Sequence, residues 1–539
     1  MQNLTIPHLL QTALEANANG EALIFPEARL SYQQLNDNVN TFAKALINLG
    51  VEAGDTVGIL MPNAAENVAS FIAATSIGAL CIPINSRFKA RELGHVITDA
   101  GMKVLLTSDA VADHVNFAER LNEALPDLEK AAKNETLHLS SAPALNYIVM
   151  LGNSHINGMM DEKHFIEQGK SLSDTDLESR IAAVKTNFPA MMLYTSGTTA
   201  MPKGCPVTHE QIISVSLNIA ERFGIKEGDR VWNALPMFHA SSLLPMLATF
   251  SKFSAFISQM HFTADKTVEQ LKTENVTLAW PAYSTIWQPI LTHPEFNAEE
   301  IPLLRGLLCV GPEESLAIME QSFPQANIMS CYGITECTGL PIMPWHTDPA
   351  EVRYGTCGKP MDGIEVQIRD AETRQEVASG TRGALWLKGQ YVIKGYWNDP
   401  VKTAECFDKD GWFNTGDLAS VNEEGYVYFH GRLKDTLKVG GENVAAVEVE
   451  AFLTTHPAVK LAAVVGVPDS KYGEVPAAFV EYRPGMSSSE TELIDFCKQG
   501  LSGFKVPRHI REVTEWPMSA TKIKKEELRT PLLKELGLS

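Results

Sequence analysis

The sequence predicts an α/β protein: a large N-terminal body of βα-built sheets plus a β-rich subdomain, with a small mobile α+β unit at the C-terminus. Three observations carry that prediction. Helical and strand patterns alternate from Leu30, glycines become dense after Val352, and the pattern changes again from Gly431. At 539 residues the chain also exceeds what one hydrophobic core usually serves.

The elements follow in order. Ser31 is suited to an N-cap, Leu35, Val39, Phe42, Leu46 and Leu49 recur at helical spacing, and Gly50 ends the helix. Val57–Met61 predicts a short apolar strand, 67–75 a helix, Leu80–Ile84 a strand, 91–100 a helix and Val104–Thr107 a third strand. Repeated βα units imply a mainly parallel sheet with helices on its faces. The stretch 123–150 is less regular and reads as an elaborated connection. A second βα series is expected from about Phe188 to Ser330. Short strands are expected at Ala384–Leu387, Tyr391–Ile393 and Tyr426–His430. Beyond Gly431, 443–453 reads as a helix, 461–467 and 475–482 as strands, and 490–501 as a helix. A strand at 509–513 and a helix at 524–536 complete the pattern. The domains expected are therefore 1–430 and a lid, 431–539, with a hinge near Lys434.

Composition narrows the function. Hydrophobic and charged contents of 45% and 20% are ordinary for a globular protein. A net charge of −20 argues against wrapping nucleic acid and requires a locally basic site for any anionic ligand. The N-terminus lacks the basic stretch of a secretory signal, and 71–84 is too short to span a bilayer. The terminal Leu-Gly-Leu-Ser is not the Ser-Lys-Leu peroxisomal address, so a cytoplasmic location is expected. Eight cysteines without a C-x-x-C pair predict buried reduced thiols.

Chemistry concentrates in a few segments. Tyr194-Thr-Ser-Gly-Thr-Thr-Ala-Met-Pro-Lys-Gly204 gathers hydroxyls around Gly197 and then presents Lys203. Such a loop can wrap a polyphosphate with hydroxyl and N–H donors while the lysine neutralises charge. It is not a Walker A loop, since Lys203 precedes the closing glycine and no Ser or Thr follows it. Pro236-Met-Phe-His239 sets an imidazole among apolar residues, which taken alone suggests a core histidine. Cys331-Tyr-Gly-Ile-Thr-Glu336 offers a ring for a purine, a hydroxyl for a phosphate and a carboxylate for Mg²⁺. Trp412-Phe-Asn-Thr-Gly-Asp417 offers a carboxylate able to accept both hydroxyls of a ribose. Gly431-Arg-Leu-Lys-Asp435 and Lys438-Val-Gly-Gly-Glu-Asn443 lie at the domain boundary, and Ala520-Thr-Lys-Ile523 places a lysine near the end. Singly, each reads as a turn, a linker or a surface lysine. Their fixed order across the chain argues otherwise.

The ordered set resembles the acyl-adenylate-forming superfamily of acyl- and aryl-CoA synthetases, peptide-synthetase adenylation domains and firefly-type luciferases. The resemblance is closest to bacterial-type fatty acid or carboxylic acid CoA ligases. It extends from Leu30-Ser-Tyr-Gln-Gln-Leu35 through Lys522 and includes Gly383-Ala-Leu-Trp-Leu-Lys-Gly389 and Gly395-Tyr-Trp-Asn-Asp-Pro400. It implies an AMP-forming acid–thiol ligase using ATP, Mg²⁺ and CoA. Thr195, Ser196, Gly197, Thr198, Thr199 and Lys203 would form the phosphate loop, with Gly311 also at the nucleotide. Tyr332 would stack on adenine, Thr335 would meet the α-phosphate, Glu336 with Thr199 would serve the metal, and Asp417 and Arg432 would hold the ribose. Lys522 would be the lysine of adenylation, Lys434 the hinge, and Gly440 and Gly441 neighbours of pantetheine. His239 would sit where the acyl pocket meets the α-phosphate, with Ser241, Ser242, Trp280, Tyr283, Cys331 and Gly339 as pocket candidates.

Two positions depart from the pattern: Ala200 and Thr521 replace glycines. Ser242 stands where many relatives carry glycine, which could shorten a tunnel and points to a small or medium acid. Free CoA is favoured as acceptor over a carrier protein or luciferase-like oxygen chemistry, because no carrier domain is fused. A nucleotide-binding pseudoenzyme or ATP hydrolase is disfavoured by the full set Lys203, Glu336, Asp417, Arg432 and Lys522. The expected partners are a small carboxylic acid, ATP and CoA, without nucleic acid or an integral membrane segment. A homodimer is one assembly open to the chain.

Overall fold

The computed structural model describes residues 4–195, 201–311, 313–439, 442–519 and 522–538. It divides into two compact units. One comprises Met1–Ile364 with Lys388–Glu405, the other Glu365–Leu387 with Cys406–Ser539.

The first unit is built on two seven-stranded sheets. In the first, the spatial order is Met160–Asp161, Tyr147–Leu151, Val104–Ser108, Thr56–Leu60, Leu80–Pro83, Pro189–Thr195 and Lys203–Thr208. In the second it is Asn327–Met329, Gly306–Cys309, Leu278–Ala282, Arg230–Trp232, Ala255–Ile257, Glu21–Ile24 and Arg29–Ser31. Pairing is parallel except at one edge of each sheet, where Pro189–Thr195 meets Lys203–Thr208 and Glu21–Ile24 meets Arg29–Ser31. The inner strands are buried on both faces, which is why they read as continuous apolar runs such as Val-Leu-Leu at 104–106.

Each sheet contains a point where the chain reverses its direction of growth. Thr56–Leu60 is flanked by Leu80–Pro83 on one side and Val104–Ser108 on the other. Arg230–Trp232 is flanked by Ala255–Ile257 and Leu278–Ala282. Crevices outside the carboxyl ends of strands at such points are where open α/β sheets bind ligands.

Local signals act as expected at Ser31. Its hydroxyl accepts the Gln34 N–H while the Gln34 side chain accepts the Ser31 N–H, and the helix Tyr32–Asn48 follows. Gly50 takes a φ of +81°, which a side chain would resist. Three expectations need correcting. Tyr391–Ile393 is not a strand but a turn, closed by the Val392 N–H on Gly389 O; its apolar character comes from burial. Residues 443–445 are not helical: Glu442–Ala445 pairs with Thr436–Val439, and the helix starts at Ala446. The irregular stretch 123–150 ends in a fully paired strand, Tyr147–Leu151.

The second unit holds the sheet Ile364–Arg369, Gly383–Gly389, Phe413–Val421 and Val427–Arg432. Arg369 anchors it: the guanidinium carbon lies 4.5 Å from the Trp386 ring centre and 5.3 Å from that of Trp412, and Nη1 bonds Asp408 Oδ2 at 2.7 Å. A further sheet combines Glu442–Ala445, Thr436–Val439, Gly473–Tyr482 and Val459–Asp469, with His509–Glu512 parallel to Gly473–Tyr482. Helices Ala446–Thr454 and Lys525–Glu535 cover the long pair of strands through Val449, Leu453, Leu528 and Leu532. None of the eight cysteines is joined in a disulfide, and all but Cys406 are buried. No helix among the described residues is long and apolar enough to cross a membrane.

The N-terminal helix Ile6–Asn17, which the sequence pattern did not announce, is tied down by His209. The Ile6 N–H donates to His209 Nδ1 at 3.2 Å, so the ring is neutral with its proton on Nε2. Burial, reinforced by His8, lowers the His209 pKa to about 4. The unfolded chain therefore binds a proton that the folded chain refuses. Stability is complete above pH 6.5 and is lost as pH falls toward 4, at about 1.4 kcal/mol per pH unit for this one group. Thermal melts from pH 7 to 4.5 should show that slope, and His209→Asn, which keeps an acceptor without the titration, should flatten it. An unchanged slope would exclude His209 as its source.

Candidate active site

The expected residues of the first unit gather at the carboxyl ends of parallel strands in the second sheet. After Arg230–Trp232 comes the loop that carries His239; after Leu278–Ala282 comes Tyr283; after Gly306–Cys309 comes Gly311; after Asn327–Met329 come Cys331, Tyr332, Thr335 and Glu336. Parallel pairing makes these four ends neighbours.

The His239 loop is stitched down by two buried asparagines. Asn63 donates to Leu235 O at 3.0 Å and accepts the Met237 N–H at 2.8 Å. Asn233 accepts the Leu235 N–H at 2.8 Å and donates to Ser241 O at 3.0 Å. A carboxamide supplies both donor and acceptor, so one side chain satisfies two buried backbone groups. His239 then stands at the N-terminus of helix Ala240–Phe250, its ring 4.6 Å from that of Phe238. Three residues on, Ser242 is wholly buried, and its hydroxyl has no hydrogen-bond partner among the described residues. Ser241 is half-buried.

Strain marks the same region. Ala282 and Thr338 take φ values of +51° and +52°, unusual for residues with a Cβ. Ala282 lies immediately before Tyr283, which begins helix Ser284–Leu291. Thr338 ends the short 3₁₀ turn Thr335–Cys337 and donates its hydroxyl to Tyr391 O at 2.7 Å. Gly339, at φ +89°, lies so close to helix Ala240–Phe250 that a Cβ would come 2.6 Å from the Ala240 Cβ. Trp280 is committed to the core, its ring edge-on to Phe223 at 5.2 Å. Tyr332 is 5% exposed, with its N–H on Ile342 O. The buried Cys331 thiol is pushed up by burial and by the neighbouring Cys357. Gly311 is exposed, and a Cβ there would make only an ordinary contact, 4.0 Å from Leu316 Cδ2.

The segment expected to wrap phosphate is bounded by the edge hairpin of the first sheet. Thr195 pairs with Lys203, and Tyr194 with Gly204. Ser196, Gly197, Thr198, Thr199 and Ala200 lie outside the described residues. Both legs of the hairpin are held by one face of helix Ala90–Asp99. Asp99 accepts the Tyr194 hydroxyl at 2.7 Å, and His95, one turn earlier, bonds Pro202 O at 3.0 Å. The half-buried Lys203 places Nζ 5.6 Å from the centre of the Tyr396 ring, whose hydroxyl donates to Glu336 Oε1 at 2.9 Å. Glu336 and Lys203 both act on the buried Cys205 thiol, which burial chiefly raises. Asn63, Asn233, His95 and Asp99 were not singled out by the sequence, and Tyr396 entered only within the Gly395–Pro400 motif, with no role of its own. The i, i+4 spacing of His95 and Asp99 was the one available signal, and without knowing what that helix faces it is indistinguishable from surface polarity.

In the second unit Asp417 is 2% exposed and registers opposite Arg432, whose Nε lies 3.3 Å from Asp417 Oδ1. Lys434 is exposed in the 3₁₀ turn Leu433–Asp435. Lys522 lies in the strand Lys522–Ile523, opposite Ser519. Gly440, Gly441 and Thr521 lie outside the described residues.

Known proteins repeat this architecture. The sequence matches the family model for AMP-binding enzymes over residues 10–397 and that for the AMP-binding enzyme C-terminal domain over residues 448–522. It is 32% identical to a Mycobacterium tuberculosis (strain ATCC 25618 / H37Rv) CoA ligase whose propanoyl group bears a methyl-dioxo-octahydro-indenyl ring system, over 99% of each chain. It is 29% identical to the mitochondrial medium-chain acyl-CoA ligase ACSF2 of Rattus norvegicus, over 99% of this chain and 89% of the relative. The crystal structure of the anthranilate CoA ligase AuaEII with anthranoyl-AMP superposes with a TM-score of 0.87 at 25% identity, covering 100% of this chain and 99% of the other. With both family models matched in sequence order and the fold shared from end to end, the chain belongs to the AMP-binding enzyme family.

Proposed function

We propose that this protein is an ATP-dependent carboxylic acid–CoA ligase that forms acyl-CoA, AMP and pyrophosphate through an acyl-adenylate. The observation that carries this reading is the convergence, in one unit, of Lys203, Glu336, Thr335 and His239 at strand ends. A carboxylate is a poor acyl donor because oxide would have to leave. Its oxygen attacks the α-phosphorus of ATP in line, the α–β bridging bond breaks, and pyrophosphate departs. The thiolate of CoA then attacks the carbonyl carbon, and AMP leaves with the bridging oxygen.

Catalysis of the first step is positioning and charge neutralisation. Lys203 would meet the terminal phosphates, Thr335 the α-phosphate, and Asp417 with Arg432 the ribose. Lys522 would meet the charge that builds on the α-phosphoryl group. Among the described residues no cluster of three or more metal-ligating side chains occurs, and Glu336 offers one half-buried carboxylate. That donor set fits Mg²⁺ arriving with ATP, a cation that keeps waters and phosphate oxygens and needs only one or two protein carboxylates. When bound, it would neutralise phosphate charge. Residues 431–539 would turn as a lid about Lys434, since Lys522 and the thiol need the same face of the adenylate at different times. The buried Ser242 hydroxyl supports an acid of small or medium size.

Pyrophosphate release should require a cognate acid, and thioester should appear only when CoA is added; acid-independent ADP release would sink the reading. Asp417→Ala should raise KM for ATP tenfold or more, since hydrogen bonds to charged groups contribute about 1.5–3 kcal/mol. An unchanged KM would remove Asp417 from the nucleotide site.

Lys522→Ala should slow pyrophosphate release by about 10²–10³ while thioester formation from supplied adenylate continues. Lys434→Pro should do the reverse, because proline locks φ at the hinge. Slowing of the same half-reaction by both substitutions would refute the rotating lid.

A further inference from the structure

Lys203 and Glu336 carry opposite charges and act on the same buried thiol, yet no ion pair joins them among the described residues. Tyr396 stands between them. Its hydroxyl donates to Glu336 Oε1 at 2.9 Å, and its ring carries the Lys203 ammonium 5.6 Å from its centre. The first contact requires the phenolic O–H and the second only an aromatic face.

The backbone around Tyr396 is bonded to the backbone around both partners. On one side the Ile393 N–H donates to Glu336 O at 2.9 Å; on the other the Trp397 N–H donates to Gly204 O at 2.8 Å, next to Lys203. The Tyr396 N–H itself donates to Thr403 Oγ1 at 2.9 Å. Beyond it, the Trp397 indole and the Asn398 carboxamide both donate to Asp99 O at 3.0 Å, and the same Asp99 holds Tyr194. Residues 393–398 thus form a strap in register with the phosphate-loop hairpin and with the Glu336 turn at once.

We propose that Tyr396 is a positioning residue for adenylation, which keeps the Glu336 carboxylate and the Lys203 ammonium apart and aimed at metal-bound triphosphate. The proposal rests on the reading of Lys203 and Glu336 given above. Without the spacer, the two charges are free to neutralise each other before nucleotide binds, and the incoming nucleotide must part them. The hydroxyl serves the carboxylate that meets the metal; the ring serves the lysine that meets phosphate.

Titration calorimetry with ATP in Mg²⁺ and with ATP in excess EDTA tests the division of labour. Tyr396→Phe, which keeps the ring, should weaken Mg²⁺-ATP binding about tenfold and leave metal-free ATP binding unchanged. Tyr396→Leu should weaken both. Combined with Glu336→Gln, Tyr396→Phe should cost little more than Glu336→Gln alone, because the hydroxyl acts through that carboxylate. Wild-type Mg²⁺-ATP affinity in Tyr396→Phe, equal loss with and without metal, or additive losses in the double variant would each overturn the proposal. The Phe variant decides the case if the Leu variant fails to fold. Lys203→Ala and Glu336→Gln serve as separate controls. If neither alters ATP binding or pyrophosphate release, the reading of the site falls; if both do while Tyr396→Phe does not, only the role of Tyr396 falls.

Discussion

A strand that pairs in parallel must send its chain across a sheet face before returning, so its carboxyl end opens into a connection rather than a hairpin. Arg230–Trp232 pairs this way on both flanks: the chain leaves it for Ala255–Ile257 on one side and then crosses to Leu278–Ala282 on the other. The same geometry then places the loops after 282, 309 and 329 beside the loop after 232. Residues from four distant stretches of sequence become neighbours because their strands do. Little else about the first-unit site would hold if that pairing register slipped.

The loops at those ends are irregular, and their backbone groups need partners that a ladder does not provide. Asn63 and Asn233 supply them under His239, and the Thr338 hydroxyl supplies one beside Glu336. Positive φ at Ala282 and Thr338 is held in place by the packed surroundings, at a cost of about 1–3 kcal/mol each. Rigid support of this kind lets a loop present a side chain at a defined point without ligand-induced ordering.

Charge is managed locally. A chain of net charge −20 must receive a polyphosphate and a carboxylate, both anions. Lys203 sits at the mouth of the edge hairpin, over the Tyr396 ring, and Arg432 is registered against the nearly buried Asp417. Each cation is held by an aromatic face or by strand pairing, and exposed pairs without such support contribute little.

The sequence alone determined the α/β class, the change of pattern after Gly431 and the ordered motifs, because periodicity, caps and short polar loops are local properties. Ser31 with Gln34, the apolar strands and Lys203 ahead of Gly204 are legible for that reason. Local pattern misled where burial imitates strand character, as at Tyr391–Ile393, and where pairing overrides helical spacing, as at 443–445. Only the tertiary structure decided that two sheets share the first unit, that Trp280 belongs to the core, and that Asn63, Asp99 and Tyr396 serve loops far away in sequence. An uncharged tyrosine or a buried asparagine has no local signature of its partner. Its role exists only once strand pairing has brought the distant backbone within hydrogen-bond reach.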